Sequence, residues 1–133
     1  MALTSFMQKK VLDWMLGGAG AQTAPAQQWL SLASGVPNAN GASDAGQLNS
    51  RLLINSGAVT GMAAANSPQG SATNLSARSN ATATAAATIS GWNLYDSVVG
   101  GTRLAYGTVS PGFTIASGAS VFFSAGSFKM IIT

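Results

Sequence analysis

The sequence predicts a mainly β fold, an antiparallel β-sandwich or jelly-roll-like barrel with one N-terminal α-helix. From residue 26 onward, short segments rich in β-branched and aromatic residues alternate with turns that contain glycine or proline. Before that point, apolar residues recur at three- and four-residue intervals, which is helical spacing. The 133 residues are enough for one domain with a real core. We expect the helix in residues 1–18 and the β-sandwich in residues 26–133.

The predicted helix runs from Ser5 to Leu16. Ser5 and Gln8 match a capping box, and the glycine pair at 17–18 supplies a helix stop. Two interpretations of its apolar stripe stay open: packing onto the protein's own sheet, or insertion into a neighbouring subunit. The stripe consists of Leu3, Phe6, Met7, Val11, Trp14 and Met15.

The segment QQWLSLAS, residues 27–34, alternates in the manner of a strand, with Leu30 and Leu32 on one face and Trp29 and Ser31 on the other. Residues 34–50 follow as a long loop, because they are rich in Gly, Pro, Asn and Asp and show no apolar period. Long loops of this kind are often contact elements.

Further strands are predicted along the rest of the chain. The Ala- and Thr-rich stretch near residue 85 is expected to be extended, because its threonines carry stiff β-branched side chains that oppose a helix. The predicted segments are 51–55, 58–62, 73–77, 82–89, 92–98, 103–109, 113–116, 120–124 and 128–132.

The stretch SGWNLYDSVVGGTRLAYG holds one of the three tryptophans and both tyrosines. In a functional interpretation, Trp92, Tyr95 and Tyr106 stack on a sugar beside Asp96. In a structural interpretation, the double glycine at 100–101 reverses the chain and the aromatic residues pack across paired strands. We favour the structural interpretation.

The composition limits the chemistry that the chain can perform. Charged residues make up 7%, against about 25% in an ordinary soluble domain, and there is no His, Cys or Glu. The only carboxylate side chains are Asp13, Asp44 and Asp96. We therefore expect no enzymatic activity, no cofactor and no metal site. A weakly charged, hydroxyl-rich surface gives little repulsion between molecules, which favours a protein that functions in an assembly.

The charge and hydropathy patterns also predict that nucleic acid and membrane are not partners. The six basic residues are dispersed and form no patch. No apolar run approaches the roughly 18 residues that a membrane-spanning helix needs. Lys9, Lys10 and Asp13 interrupt the N-terminal apolar segment, so it does not resemble a signal peptide and we expect synthesis in a cytoplasm.

Three segments, in this order, carry a family resemblance: MALTSFMQKKVLDWMLGG, then PAQQWLSLASGVPNANGASDAG, then WNLYDSVVGGTRLAYGTVSPGFTIASGASVFFSAGSFKMIIT. The order resembles small virion proteins of tailed bacteriophages, which are variously described as tail fibre proteins or capsid cement proteins. The resemblance implies an N-terminal helix that ends at glycine, a Trp-led strand, a loop and a C-terminal run of hairpins. It implies no catalytic residues.

The resemblance favours a structural virion protein made in the host cytoplasm. The preferred hypothesis is a cement or decoration protein on the outer surface of the head, bridging subunits of the major capsid protein and contacting other copies of itself. The alternative is a tail or tail-fibre subunit that contacts host surface glycans. Candidate partner-contact residues come from the helix and the 34–50 loop: Phe6, Lys10, Trp14, Val36, Asn38 and Asp44.

Overall fold

The structure is a computed structural model that describes residues 2–16, 25–35, 37–38, 51–56, 62–65, 71–74, 78–79, 82–127 and 129–131. Within these residues the chain forms one helix, α1 (Ser5–Met15), and ten strands. The strands are β1 (Ala2–Leu3), β2 (Gln27–Ala33), β3 (Leu52–Ser56), β4 (Met62–Ala65), β5 (Ser71–Asn74), β6 (Arg78–Ser79), β7 (Ala87–Tyr95), β8 (Arg103–Ile115), β9 (Phe122–Phe123) and β10 (Lys129–Ile131). The predicted mainly β fold with one N-terminal helix is confirmed.

The strands form antiparallel sheets. The largest has five strands in the order β1-β8-β7-β2-β3, and every neighbouring pair in it is antiparallel. A three-stranded sheet has the order β10-β5-β4, and β6 pairs with β9. This arrangement is consistent with a β-sandwich-like fold.

The sequence predicts four separate strands between residues 82 and 116, whereas the structure has two, β7 and β8, which form the central hairpin. β7 and β8 are each continuous, and β8 runs through Pro111. The register passes from Gly91↔Thr108 to Ile89↔Phe113, so residues 109–112 bulge opposite a single residue of β7. A proline inside a bulge removes no ladder hydrogen bond, which explains why the strand continues past it.

Buried residues lie on both faces of the five-stranded sheet, since the core includes the successive β8 residues Leu104 and Ala105. Leu30 pairs across the ladder with Leu94, and Leu32 pairs with Trp92; all four side chains are buried. The predicted face of Leu30 and Leu32 is therefore confirmed. Ser31, on the opposite face of β2, is also buried, so the second half of this strand is covered on both sides.

Two glycines mark places where the chain packs closely on β7. A Cβ at Gly107 would lie 2.7 Å from atoms of the Trp92 ring. A Cβ at Gly91 would meet the Pro37 ring and lie 2.8 Å from the Gly35 carbonyl oxygen. The segment that follows β2 therefore lies directly over β7.

The helix begins differently from its prediction. Thr4 is the N-cap: its Oγ1 accepts a hydrogen bond from the Met7 N–H at 3.4 Å and donates one to the Leu104 carbonyl at 3.0 Å. Gln8 donates to the Leu3 carbonyl instead of completing a box with Ser5. The capping-box prediction at Ser5 was wrong by one residue, because the Thr4 hydroxyl also has a partner on β8. The predicted stop at 17–18 lies outside the described residues.

The apolar residues of the helix do not form a single inward stripe. Leu3 and Met7 pack against the core. Phe6, Val11 and Met15 are exposed, as is Leu12, so much of the predicted stripe faces away from the sheet. In the part of the chain that the structure describes, no helix has the length and apolar content needed to cross a membrane.

Candidate interaction site

The C-terminal end of α1 exposes four large apolar side chains. Val11 is 37% exposed, Leu12 54%, Met15 67% and Leu16 81%. Val11 and Met15 are neighbours at a spacing of four, as are Leu12 and Leu16, and at 3.6 residues per turn the four positions fall within an arc of about 140°, so they form one patch, the exposed helix face. Contiguous exposed apolar surface is a common feature of contact sites between macromolecules.

Charged side chains lie on other sides of the helix. The Lys9 Nζ binds Asp13 Oδ2 at 2.6 Å. The Lys10 Nζ lies 5.3 Å from the centroid of the Phe6 ring, within range of a cation–π interaction, and Phe6 is 44% exposed. The structure therefore brings together Phe6 and Lys10, two of the predicted contact residues, on one side of the helix.

A second exposed feature is the 96–102 turn that joins β7 to β8. The Asp96 N–H donates to the Thr102 carbonyl at 3.2 Å, and the Thr102 N–H donates to Asp96 Oδ1 at 2.7 Å. Gly100 and Gly101 have positive φ values of 61° and 74°. The prediction that the double glycine reverses the chain is confirmed.

Arg51 holds this turn from a distant part of the chain. Its Nη1 donates to the carbonyl oxygens of Ser97 at 2.8 Å and Gly100 at 2.6 Å. Its guanidinium carbon lies 3.4 Å from the centroid of the Tyr95 ring, so the two groups are stacked. From the sequence, Arg51 was only the first residue of a predicted strand.

The apex of the 96–102 turn is apolar. Val98 is 44% exposed and Val99 is 80% exposed. The sequence predicts a strand that includes Val98, because valine favours β structure. The sequence SVVGG could have indicated an apolar turn, because two valines stand directly before a double glycine. Turns usually carry polar residues at such positions.

Arg103 connects the segment after β2 to the sheet. Its Nη1 donates to Oδ1 of the fully buried Asn93 at 3.3 Å, and its Nη2 donates to the Asn38 carbonyl at 2.6 Å. Its guanidinium carbon lies 4.8 Å from the centroid of the Tyr106 ring. Asn38, a predicted contact residue, is exposed, and its backbone carbonyl has a structural role because it accepts this bond from Arg103.

The aromatic residues of the hairpin do not form an open platform for a sugar. Trp92 is 6% exposed and packs on Gly107, and Tyr95 is 9% exposed and lies under Arg51. Tyr106 is half-buried beside Arg103. These contacts support the structural interpretation of the aromatic cluster.

Three predicted contact residues are not placed by the structure. Trp14 belongs to α1, but its side chain lies outside the described part of the chain, as do Val36 and Asp44. The role predicted for these residues stays a prediction. The residues that the sequence analysis missed are Leu12, Leu16, Arg51, Val99 and Arg103.

Comparison with known families shows the family of the chain. Residues 2–131 match the model of the family described as Podophage GP4 fiber I protein gp80. The chain belongs to this gp80 fiber family. Comparison with curated proteins gives no match.

Membership of the gp80 fiber family confirms the resemblance to phage virion proteins. The chain is a structural virion protein of a fibre-related family. The description of the family names a fibre and not a capsid cement protein, so the alternative hypothesis of the sequence analysis agrees with it at least as well as the preferred one.

Proposed function

We propose that the chain is a non-enzymatic structural subunit of a phage fibre, and that it binds neighbouring protein through the exposed helix face. The observation that carries this proposal is the patch of Val11, Leu12, Met15 and Leu16 on a member of a fibre family. A fibre subunit functions by holding its neighbours, so a surface built for contact is its functional site.

Burial of apolar area is the physical basis of this contact. Fully burying one Val, Leu or Met side chain contributes roughly 1.5–3 kcal/mol. The exposed helix face contributes part of that range for each of its four side chains, because each is already partly covered. In a symmetric assembly the same contact recurs at every equivalent position, so a modest gain per subunit is multiplied.

The state of the acidic residues supports a role without catalysis. The Asp13 carboxylate is paired with Lys9, and the Asp96 carboxylate accepts the Thr102 N–H within the turn. Among the described residues, no three potential metal ligands come together. Two of the three carboxylate side chains in the sequence thus have structural partners.

Labelled particles test the location. A phage is made whose copy of this chain carries an affinity tag, and purified particles are imaged with gold-labelled antibody. Label on fibres at the tail is the expected result. Label spread over the head would support the cement role, with the major capsid protein as partner, and particles without label would contradict any structural role in the virion.

A further inference from the structure

The strand β8 lies near one edge of the five-stranded sheet and is covered there only by the short β1. β1 pairs with Ala105 and Tyr106, so the outer edge of residues 107–115 has no strand partner among the described residues. We propose that the 109–112 bulge, which contains Pro111, keeps this edge from pairing with the same edge of a second copy of the chain. This protection belongs to the free chain and does not depend on the proposed role in the virion.

The outer edge of β8 presents backbone hydrogen-bonding groups. The Thr4 N–H donates to the Leu104 carbonyl at 3.0 Å, and backbone groups along an antiparallel strand point alternately to its two sides. Tyr106 and Thr108 therefore point to the same outer side as Leu104. Tyr106 is paired with Ala2, but Thr108 is exposed and lies beyond the described residues of β1. An exposed edge of this kind accepts a strand from another chain.

Charge does not protect this edge. No charged residue stands between Arg103 and Lys129 in the sequence. The segment GTVSPGFTI, residues 107–115, contains β-branched and aromatic residues, and uncharged segments with high β-propensity pair between chains. With 7% charged residues in the whole chain, repulsion between copies is weak. Two identical edges can pair antiparallel about a two-fold axis, so a second copy is the partner that the fold must exclude.

The bulge interrupts the edge in two ways. Between the pairs Gly91↔Thr108 and Ile89↔Phe113, β7 has one residue and β8 has four, so β8 carries three extra residues. A strand added from outside would meet this irregular stretch in place of a regular ladder. Pro111 is exposed and has no N–H to donate to such a strand.

The bulge is held against β7. A Cβ at Gly112 would lie 2.8 Å from the Ile89 carbonyl oxygen, so the backbone there approaches β7 more closely than a residue with a side chain permits. Val109 and Phe113 pack against the core, whereas residues 110–112 between them are exposed. The interruption is therefore anchored on both sides and faces solvent in the middle.

Deletion of residues 110–112 tests the inference. The deletion removes the three extra residues, so the outer edge of β8 becomes regular. We expect this variant to self-associate at a concentration at least about tenfold below that of the wild-type chain, measured by sedimentation velocity. Thr108→Lys in the same background places a charge on the exposed edge and should restore the sedimentation of the wild type.

Far-UV circular dichroism establishes that each variant is folded. A folded deletion variant that sediments like the wild-type chain would overturn the inference. Association that Thr108→Lys does not reduce would also overturn it, because that association would not arise at this edge. Pro111→Thr keeps the chain length and should shift association in the same direction as the deletion. Its matched control is Pro25→Thr, which lies ahead of β2 and should leave association unchanged.

A measurement on the wild-type chain applies whether or not the variants fold. Hydrogen–deuterium exchange of the peptide that covers residues 107–115 is compared at low and high protein concentration. We expect the same exchange at both concentrations, because the edge stays unpaired. Slower exchange of this peptide at high concentration would show that copies pair along the edge, and would overturn the inference.

Discussion

Gly101 occupies a position that no other residue can take without strain. Its φ is +74°, and a Cβ there would meet Asp96 Oδ1 and lie 2.6 Å from the Ser97 Cβ. The adjacent Gly100 has a φ of +61°, but a Cβ there would meet nothing within 4 Å. The two glycines therefore share the left-handed backbone and differ in the space around them.

This difference gives a paired prediction. Gly100→Ala should reduce the free energy of unfolding by about 1–2 kcal/mol, the cost of the left-handed conformation. Gly101→Ala should reduce it further, because the new methyl group also disturbs the hydrogen bond from Thr102 to Asp96. Urea denaturation measures both variants, and equal losses would show that the crowding at position 101 is unimportant.

Gly107 gives a second prediction at the residue scale. A methyl group there would lie 2.7 Å from the Trp92 ring, so Gly107→Ala should destabilise the protein by about 1–3 kcal/mol through overpacking. The neighbouring Thr108 is exposed, and Thr108→Ala should change stability by less than about 0.5 kcal/mol. A Gly107→Ala variant as stable as the Thr108→Ala control would mean that Trp92 moves aside freely.

Local conformation was predictable at this scale and distant partners were not. The double glycine at 100–101 indicates a turn, because a positive φ is a property of the residue itself. The contacts of Arg51 with Ser97 and Gly100 span 46 and 49 residues, so no local pattern contains them. The hydrogen bonds from Arg51 to the 96–102 turn were therefore not predictable from the sequence.

At the scale of elements, the start of α1 distinguishes two neighbouring hydroxyl residues. Thr4→Ala removes the N-cap and the hydrogen bond to the Leu104 carbonyl, and should cost about 0.5–2 kcal/mol. Ser5→Ala, on an exposed residue of the first turn, should stay within about 0.5 kcal/mol of wild type. If thermal unfolding instead shows that Ser5→Ala is more destabilising than Thr4→Ala, the result would support the capping box at Ser5 predicted from the sequence.

The exposed helix face leads to a prediction about assembly. Leu12→Ser with Leu16→Ser should lower incorporation into particles, because it removes apolar area that the proposed contact buries. The free protein should unfold at nearly the same temperature, since both side chains are more than half exposed. Normal incorporation of this variant would remove α1 from the contact surface, whereas a large loss of stability would assign these leucines to the fold.

Elements with a regular period were predicted well, and their interruptions were not. α1 and β2 match their predicted ranges within one residue, because each has a clear apolar period. β8 was divided at Pro111, since the bulge that accommodates this proline depends on the register with β7. The exposure of Leu12 and Leu16 was also not predicted, because the spacing of apolar residues does not show which side of the helix packs on the sheet.

At the scale of the whole molecule, the scarcity of charge in the sequence indicates a role in an assembly. Charged residues make up 7% of the chain, and two of its three acidic residues are held in contacts with its own residues. A surface with so few charges depends on apolar contact to bind a partner. The family match agrees with this role, because it assigns the chain to a fibre-related group of phage proteins.

Copy number in purified particles distinguishes a fibre subunit from a protein of the head. Particles are banded in a density gradient, washed in high salt, and analysed by quantitative mass spectrometry against the major capsid protein. We expect the chain to be retained at a fixed copy number well below that of the major capsid protein, as a fibre subunit should be. A copy number close to that of the capsid protein would contradict the fibre assignment, and loss of the chain on washing would contradict a structural role altogether.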